Sequence, residues 1–297
     1  MIIKGMNELT PVEEYNGIYF KRDDLFQPFD DIPLSGGKVR QAMKLIENQL
    51  STIRNECNNT VITGTSVNSP QGIIIARVAK EYGVDSIIVF GNTKKANLVK
   101  NNLTHNAMLY ATRVDYEAGM AYDNVLTARV FDLCEEERKD YFFIKFGINL
   151  DTDKDALVDT VANQCANLPD DLDYLFVPAG SAIMLGGIIK GCRKFNKHPH
   201  IVGIQISGYN RKDTVDNILD GDVTYEYDFI IDHTYPYSKH LHIEIAPGFV
   251  LDPVYEAKAY EYMIKNYDVK NNKCCFWVVG DSNKVRDNYY GVGEVNE

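Results

Sequence analysis

The feature that most constrains the fold is an alternation of short apolar runs with longer amphipathic stretches. The run TVITG is followed by QGIIIARVAKEYG and then by SIIVFG, which is the pattern of strand, helix and strand. The same order returns in the second half, in the runs YLFVPAG, MLGGIIKGCRKFN and HIVGIQISG. Because a helix between two strands lets them pair in parallel, the pattern predicts an α/β fold of mostly parallel sheets with helices on both faces.

The length of the chain and its less regular stretches suggest how it divides. With 297 residues it exceeds the usual size of one domain, and we expect two doubly wound domains. Residues 1–48 and 151–297 are predicted to form the large domain, and residues 49–150 the small one. Residues 210–247 show little periodicity, so we expect an irregular excursion over the functional site there.

A lysine stands at the start of a predicted helix. Ser35, Gly36 and Gly37 directly precede Lys38, and an amphipathic stretch, KVRQAMKLIENQLSTIRNE, begins with it. Glycines adopt backbone angles closed to other residues and permit close approach to a ligand, so this turn is able to point the amine into a cavity. The alternative is a surface lysine in a first helical turn, where the macrodipole disfavours a cation.

Three further loops join a strand to a helix, which is where ligands collect in open α/β sheets. GTSVNSPQG carries hydroxyls and an amide suited to a carboxylate, and VPAGSAIMLGG offers backbone N–H groups suited to a phosphate. A capped loop and a packing turn of small residues are the alternatives. The last loop, GFVLDPVYEAKA, places Tyr255 and Glu256 side by side at a helix start, where Glu256 also suits simple acidic capping.

Four motifs together resemble a known family. FKRDDL, SGGKVRQ, TSVNSPQG and DPVYEAKA occur in the order and approximate spacing of pyridoxal-phosphate (PLP) enzymes of the tryptophan synthase β type, fold type II. Within that family the chain is similar to 1-aminocyclopropane-1-carboxylate (ACC) deaminase and D-cysteine desulfhydrase. The resemblance covers most of the chain. It implies pyridoxal 5'-phosphate as the cofactor, bound by the large domain in a cleft between the two domains, and a homodimer.

The resemblance also implies roles for individual residues. Lys38 would form the Schiff base with the cofactor, for which its amine needs a pKa lowered by burial near other cationic groups. Asn68 would flank the ring hydroxyl of the cofactor. The remaining predicted contacts are Gly180, Ser181 and Ala182 for the phosphate, and Ser66 and Ser69 for the carboxylate of the substrate.

The same resemblance places Tyr255 over the cofactor near the substrate, and Glu256 opposite the pyridine nitrogen. A carboxylate can hold that nitrogen protonated and make the ring a strong electron sink, whereas a hydroxyl only hydrogen-bonds to it. A glutamate at this position therefore makes the chain resemble the deaminase rather than the desulfhydrase. It also suits any other reaction that needs a strong electron sink, including decarboxylation.

Several positions depart from the family pattern. Met184 stands in the phosphate loop where relatives have small residues or a threonine, and Val67 replaces a serine of the deaminase. Pro70 removes one backbone N–H from the serine loop. The stretch FWVVGDSNKVRDNYYG replaces a glycine-rich loop of the relatives. We therefore expect a divergent member with a changed substrate.

Composition limits the other functions of the chain. A net charge of −11 disfavours tight binding to duplex nucleic acid or to anionic membranes. No apolar run approaches the roughly 20 residues of a membrane span, and the start lacks the zones of a signal peptide, so we expect a cytoplasmic protein. The six cysteines lack the spacing of a metal site. The paired histidines of HPH and HLH suit solvated loops better than metal ligands, so no metal site is expected.

The leading hypothesis is a PLP-dependent lyase of the deaminase type, acting at the α-amino group of an amino acid through an aldimine and a quinonoid. In it Lys38, Tyr255 and Glu256 are the catalytic residues. An alternative is decarboxylation or substitution of an amino acid attached to a larger carrier, such as a hypermodified base of phage DNA. Another alternative is a PLP-fold subunit that has lost catalysis and only binds.

Overall fold

The computed structural model describes residues 2, 4–91, 93–148, 153–206, 208, 210–222, 224, 226–236 and 238–291. The chain divides into two compact units. Unit 1 comprises Met1–Pro28, Ser35–Gln41 and Leu150–Asp281, and unit 2 comprises Phe29–Leu34, Ala42–Asn149 and Ser282–Glu297. Relative to the domains expected from the sequence, residues 29–34, residues 42–48 and the residues after Asp281 group with unit 2.

The strands and helices follow one another along the whole described chain. The strands are β1 (Val12–Tyr15), β2 (Ile18–Arg22), β3 (Thr60–Ser66), β4 (Asp85–Gly91), β5 (Arg113–Ala118), β6 (Phe142–Ile144), β7 (Tyr174–Pro178), β8 (His200–Ile206), β9 (Tyr227–Asp232), β10 (Glu244–Ala246), β11 (Phe249–Val250) and β12 (Cys274–Val278). The helices are α1 (Gly37–Asn55), α2 (Gln71–Glu81), α3 (Lys95–Leu98), α4 (Asn102–Tyr110), α5 (Asp123–Glu137), α6 (Lys154–Ala162), α7 (Ile183–Lys194), α8 (Lys212–Ile218), α9 (Glu256–Asn266) and α10 (Asn283–Asp287). No helix of the described residues is both long enough and apolar enough to cross a membrane.

Unit 1 is built on a six-stranded sheet in the order β1-β2-β12-β7-β8-β9. All neighbours are parallel except β1 and β2. The central strand β12 is buried throughout, with Cys275 and Trp277 in one core cluster and Cys274 and Phe276 in the other. Since alternate residues of a strand face opposite sides, the sheet has a core on each face, and the adjacent cysteines Cys274 and Cys275 are packing residues of the two cores.

Unit 2 has a parallel four-stranded sheet in the order β5-β4-β3-β6. Apolar residues of β3 and β4, such as Ile62 and Val89, pack with Leu126 and Val130 of α5. Helix α1 is shared: Gly37–Gln41 belong to unit 1 and the rest to unit 2. The predicted α/β fold with mostly parallel sheets is therefore confirmed.

The prediction of an irregular stretch over residues 210–247 is wrong in part. The stretch contains α8, the sixth strand β9 of the unit 1 sheet, and β10. Helix α8 has only seven residues, too few for a helical period to show, and β9 lies at the sheet edge with only Asp232 buried. Short elements and edge strands carry weak hydrophobic patterns, which explains the error.

The parallel order of unit 1 brings three loops to one edge of the sheet. β2, β12 and β7 are neighbours, so the chain leaves all three strands on the same side. The loops after them begin at Asp23, Val279 and Ala179. This edge holds the candidate site.

Candidate functional site

The turn before Lys38 is fastened to the end of β12. The Gly37 N–H donates to the Val279 carbonyl oxygen at 3.0 Å. The Ser35 hydroxyl accepts from the Asp281 N–H at 2.9 Å and donates to the Asp281 carbonyl oxygen at 3.1 Å. Gly36 has a φ of +92°, and a Cβ there would lie 2.2 Å from the Val279 carbonyl oxygen. Only glycine fits, so this backbone fixes where α1 begins.

Lys38 is the second residue of α1, as the sequence predicts. Its side chain is partly buried, and burial lowers the pKa of its amine to about 8. The predicted help from neighbouring cations is not seen, because burial is the sole cause of the shift. The amine forms no hydrogen bond or ion pair with the described residues. It is therefore an available nucleophile, neutral more often than an ordinary lysine.

Glu256 opens α9 and is fully buried. Its two carboxyl oxygens accept N–H groups, one from Asp252 and one from Gly280, each at 3.0 Å. Burial, and next the nearby charge of Asp252, raises the pKa of Glu256 well above its ordinary value. Because Gly280 follows Val279, consecutive residues of one strand end hold both this carboxyl group and the turn of Lys38.

The third part of the edge is the start of α7. No side chain caps this helix, and the residue before it, Ala182, has a φ of 65°. A Cβ added to Gly180 would meet only the Tyr255 ring, at 4.0 Å, so the space over this turn is open. An uncapped helix start with open space suits a phosphate group. Met184 packs against Gly37, where a Cβ would lie 2.5 Å from the Met184 methyl carbon.

The FKRDDL motif forms a buried charge network beneath α1, which the sequence did not predict. Asp23 accepts hydrogen bonds from Arg40 of α1 at 3.1 Å and from Trp277 of β12 at 3.2 Å. Arg22 binds Asp24 through two nitrogens, at 2.9 and 2.7 Å. The network ties the first turns of α1 to strands β2 and β12. Two adjacent acids after a buried strand, in a chain with a single tryptophan, were its only sequence signal.

The serine loop belongs to unit 2, and its hydroxyls make local bonds. Ser66 accepts from the Asn68 N–H at 3.2 Å, and Ser69 accepts from the Gln71 N–H at 3.3 Å. Both are short contacts to the residue two positions further on, typical of polar turns, and no side chain of the residue before α2 caps that helix. The Asn68 side chain is exposed. The roles of Ser66, Asn68 and Ser69 toward cofactor and substrate stay predictions.

The residues of unit 1 fit pyridoxal phosphate on three points. Lys38 offers an unpaired amine for its aldehyde, Glu256 a buried carboxyl group for its ring nitrogen, and α7 an uncapped start for its phosphate. No group of three or more metal-ligating side chains converges anywhere in the described chain. His200 of the HPH motif is exposed, and its Nε2 lies 2.9 Å from Oδ2 of Asp228.

Comparison with known proteins gives a family. A family model described as pyridoxal-phosphate dependent enzyme matches residues 5–222. The O-seryl-dTMP PLP-dependent decarboxylase of Salmonella phage ViI is 26% identical over 216 residues, which are 68% of this chain and 50% of the relative. The chain thus spans about half the length of that relative. A putative ACC deaminase of Pyrococcus horikoshii is 26% identical over 262 residues, 82% of this chain and 77% of the relative.

Solved structures share the fold. The crystal structure of an ACC deaminase homologue superposes with a TM-score of 0.75 at 20% identity, covering 96% of this chain and 93% of the other. Threonine deaminase isoform 2 from Solanum lycopersicum, in its processed form, gives a TM-score of 0.61 at 16% identity, covering 94% and 86%. Both similarities support PLP fold type II.

Proposed function

Because the chain belongs to the family of pyridoxal-phosphate dependent enzymes, we propose that it breaks a bond at the α-carbon of an amino-acid substrate, with Lys38 as the amine that binds the cofactor. The observation that carries this proposal is the partly buried, unpaired Lys38 amine, which follows a turn bound to the same strand end that binds the buried Glu256 carboxyl group. A surface lysine or a simple helix cap has no need of this arrangement. Cytoplasmic location and a homodimer stay predictions.

The residues of the chain divide the work. Bound pyridoxal phosphate supplies the electron sink for the pair left on the α-carbon. The backbone of Gly180, Ser181 and Ala182 would hold the phosphate at the start of α7. Glu256 would hold the proton at the ring nitrogen, because burial and the nearby negative charge of Asp252 raise its pKa and so favour a proton at this position.

Lys38 would then move protons. Its pKa of about 8 lies near neutral pH, so the amine can both accept and return a proton at the α-carbon. Tyr255, whose ring lies beside Gly180, would assist on the substrate side. Ser66 and Ser69 would bind the substrate carboxylate and Asn68 the ring hydroxyl.

For the reaction, the first candidate is decarboxylation of an amino acid attached to a nucleotide. The decarboxylase of phage ViI, which matches two thirds of this chain, supports it. In this reaction the bond from the α-carbon to the carboxyl carbon breaks, carbon dioxide leaves, and a proton takes its place. The serine loop, with Val67 and Pro70, differs from that of the deaminase at the position predicted to hold the carboxylate.

The second candidate is deamination, in which ammonia leaves. It is supported by the match to a putative ACC deaminase over 82% of the chain. The two reactions give different products, so one incubation with each substrate, assayed for carbon dioxide and for ammonia, separates them. Absence of both products, with bound cofactor, would favour the non-catalytic alternative.

The proposal is tested at Lys38. Purified protein given PLP should acquire a visible absorbance band, and Lys38→Ala should lose that band and all turnover, because no other amine takes the place of Lys38. Lys44→Ala, which removes a partly exposed lysine of the same helix, should keep both. The assignment would be overturned if Lys38→Ala kept the band.

A further inference from the structure

A segment after Asp281 replaces the glycine-rich loop of the relatives and is held firmly in unit 2. We call residues 282–291 the C-terminal arm. Asn106 of α4, fully buried, donates to the carbonyl oxygens of Val285 at 3.1 Å and of Asn288 at 2.8 Å. The Tyr290 N–H donates to the Asn106 side-chain oxygen at 2.8 Å. One buried amide thus makes three bonds to the arm, which is the mark of a fixed segment.

The arm and the serine loop meet at the same helix start. The Asn102 amide donates to the Arg286 carbonyl oxygen at 3.0 Å. Its neighbour Asn101, which caps α4, donates to the Val67 carbonyl oxygen at 3.0 Å. Adjacent residues of α4 therefore hold the arm and the loop that we propose for the substrate carboxylate. Groups on the arm therefore lie near the serine loop within unit 2.

Arg286 carries an incompletely satisfied charge on this arm. Its Nη2 donates to the Ser282 hydroxyl at 3.2 Å, and its Nε is buried with no hydrogen-bond partner among the described residues. It makes no ion pair with any carboxylate that the structure describes. A buried donor without an acceptor is costly, and a guanidinium fork matches the oxygens of a phosphate. The arm therefore offers a cation for an anionic group.

An aromatic surface lies three residues further on. The Tyr289 ring stacks on His105 of α4, with ring centres 3.7 Å apart and planes 10° apart, and Tyr289 is 41% exposed. Gly291 also lies against the ring, where a Cβ would be 2.2 Å from the Tyr289 hydroxyl oxygen, so the exposed part of the ring is what a ligand can reach. Exposed aromatic faces stack on nucleobases whatever their sequence. The Cα atoms of Arg286 and Tyr289 are at most about 11 Å apart, a distance that one nucleotide can span.

We propose that the C-terminal arm binds the nucleotide part of a nucleotide-linked amino acid, with Arg286 on the phosphate and Tyr289 on the base. The proposal rests on the first candidate reaction above, and it adds the residues that select the carrier. Lys284 and Arg286 against Asp287 give the α10 segment one net positive charge in a chain of −11. This favours a single nucleotide over the repeated phosphates of duplex DNA.

The experiment measures binding of thymidine monophosphate (dTMP) and of thymidine to the full-length protein by calorimetry, with and without PLP. Wild type should bind dTMP more tightly than thymidine. Arg286→Gln should weaken dTMP about tenfold or more, with thymidine little changed, since a charged hydrogen bond is lost. Tyr289→Ala should weaken both ligands. Arg54→Gln, an exposed arginine of unit 2 bonded to the Tyr82 carbonyl oxygen, is the matched control and should change neither.

The outcomes separate this proposal from the proposed function. Equal affinity for dTMP and thymidine, or unchanged dTMP binding in Arg286→Gln, would overturn the role of the arm even if PLP binds and free amino acids react. Failure of PLP to bind Lys38 would overturn the enzyme instead, and dTMP binding would still test the arm. A thymidine oligonucleotide that binds better than dTMP would make DNA, rather than the free nucleotide, the source of the ligand.

Discussion

Two ionisable side chains, the partly buried Lys38 and the fully buried Glu256, dominate the site at the scale of single residues. Burial lowers the pKa of Lys38 and raises the pKa of Glu256, so it drives both toward their neutral forms. A neutral amine and a neutral carboxylic acid cost less to bury than two charges. Each group is therefore neutral more often than an exposed one, which suits a cofactor that supplies an aldehyde to Lys38 and a basic nitrogen to Glu256.

The lowered pKa of Lys38 gives a pH dependence of cofactor binding. Only the neutral amine attacks an aldehyde, so the rate at which cofactor-free protein captures PLP should rise with pH to a midpoint near a pKa of about 8, well below the ordinary 10.5. The rise of visible absorbance after mixing measures this rate. The same measurement over the same pH range with lysine acetylated at its α-amine, which keeps a free side-chain amine, corrects for titration of the cofactor. A midpoint near the ordinary lysine value would contradict the burial of the amine.

The sequence located these residues through local motifs, and it missed the contacts that come from far along the chain. Gly36 and Gly37 before Lys38 are visible in the sequence. Nothing local reveals that the Gly280 N–H reaches Glu256, or that Trp277 donates to Asp23 across 254 positions. The sequence also predicted that neighbouring cations lower the pKa of Lys38, whereas burial alone lowers it. The surroundings of a side chain are set by tertiary packing, which local motifs do not reveal.

At the scale of elements, long segments with a strong hydrophobic period were predicted correctly, and short helices were missed. Strand β3 and helix α2 are found where TVITG and QGIIIARVAKEYG indicate them, because both are buried and regular. Helices α8 and α10, with seven and five residues, were not identified. Their positions depend on tertiary contacts, such as those that Asn106 makes to the C-terminal arm.

Asn106→Ala should release the C-terminal arm. It removes three hydrogen bonds and leaves their backbone partners unsatisfied, at a cost of at least about 1–3 kcal/mol. Trypsin should then cut after Arg286 about tenfold faster or more, which mass spectrometry of timed digests can follow. Asn55→Ala, at an exposed asparagine of α1, is the control and should leave the cleavage rate unchanged. Equal rates in both variants would mean that the arm is not held by Asn106.

At the scale of the whole molecule, the chain contains a natural reporter for one of its two units. Trp277 is its single tryptophan and is buried in the core of unit 1. Lys38, Gly180 and Glu256, the residues proposed to hold PLP, belong to the same unit. Tryptophan fluorescence therefore follows the unfolding of the unit that the cofactor is expected to stabilise.

PLP should raise the free energy of unfolding that Trp277 reports. At 100 times its Kd, a ligand that binds only the folded state adds about 2.7 kcal/mol. The shift of the urea midpoint in fluorescence measures it. Pyridoxal without the phosphate should give a smaller shift, because the start of α7 gains no anion. No shift with PLP, at a concentration that gives the visible band, would place the cofactor outside unit 1.

Helix α1 carries a consequence for how a chain of this kind can change in length. It begins at Gly37 in unit 1 and ends at Asn55 in unit 2, and Leu45, Ile46 and Ile53 are buried along its second part. One residue inserted after Lys38 would turn every later side chain by about 100° and shift it by about 1.5 Å. We therefore expect relatives to differ in the lengths of their loops but to keep the number of residues between the positions of Lys38 and Ile53.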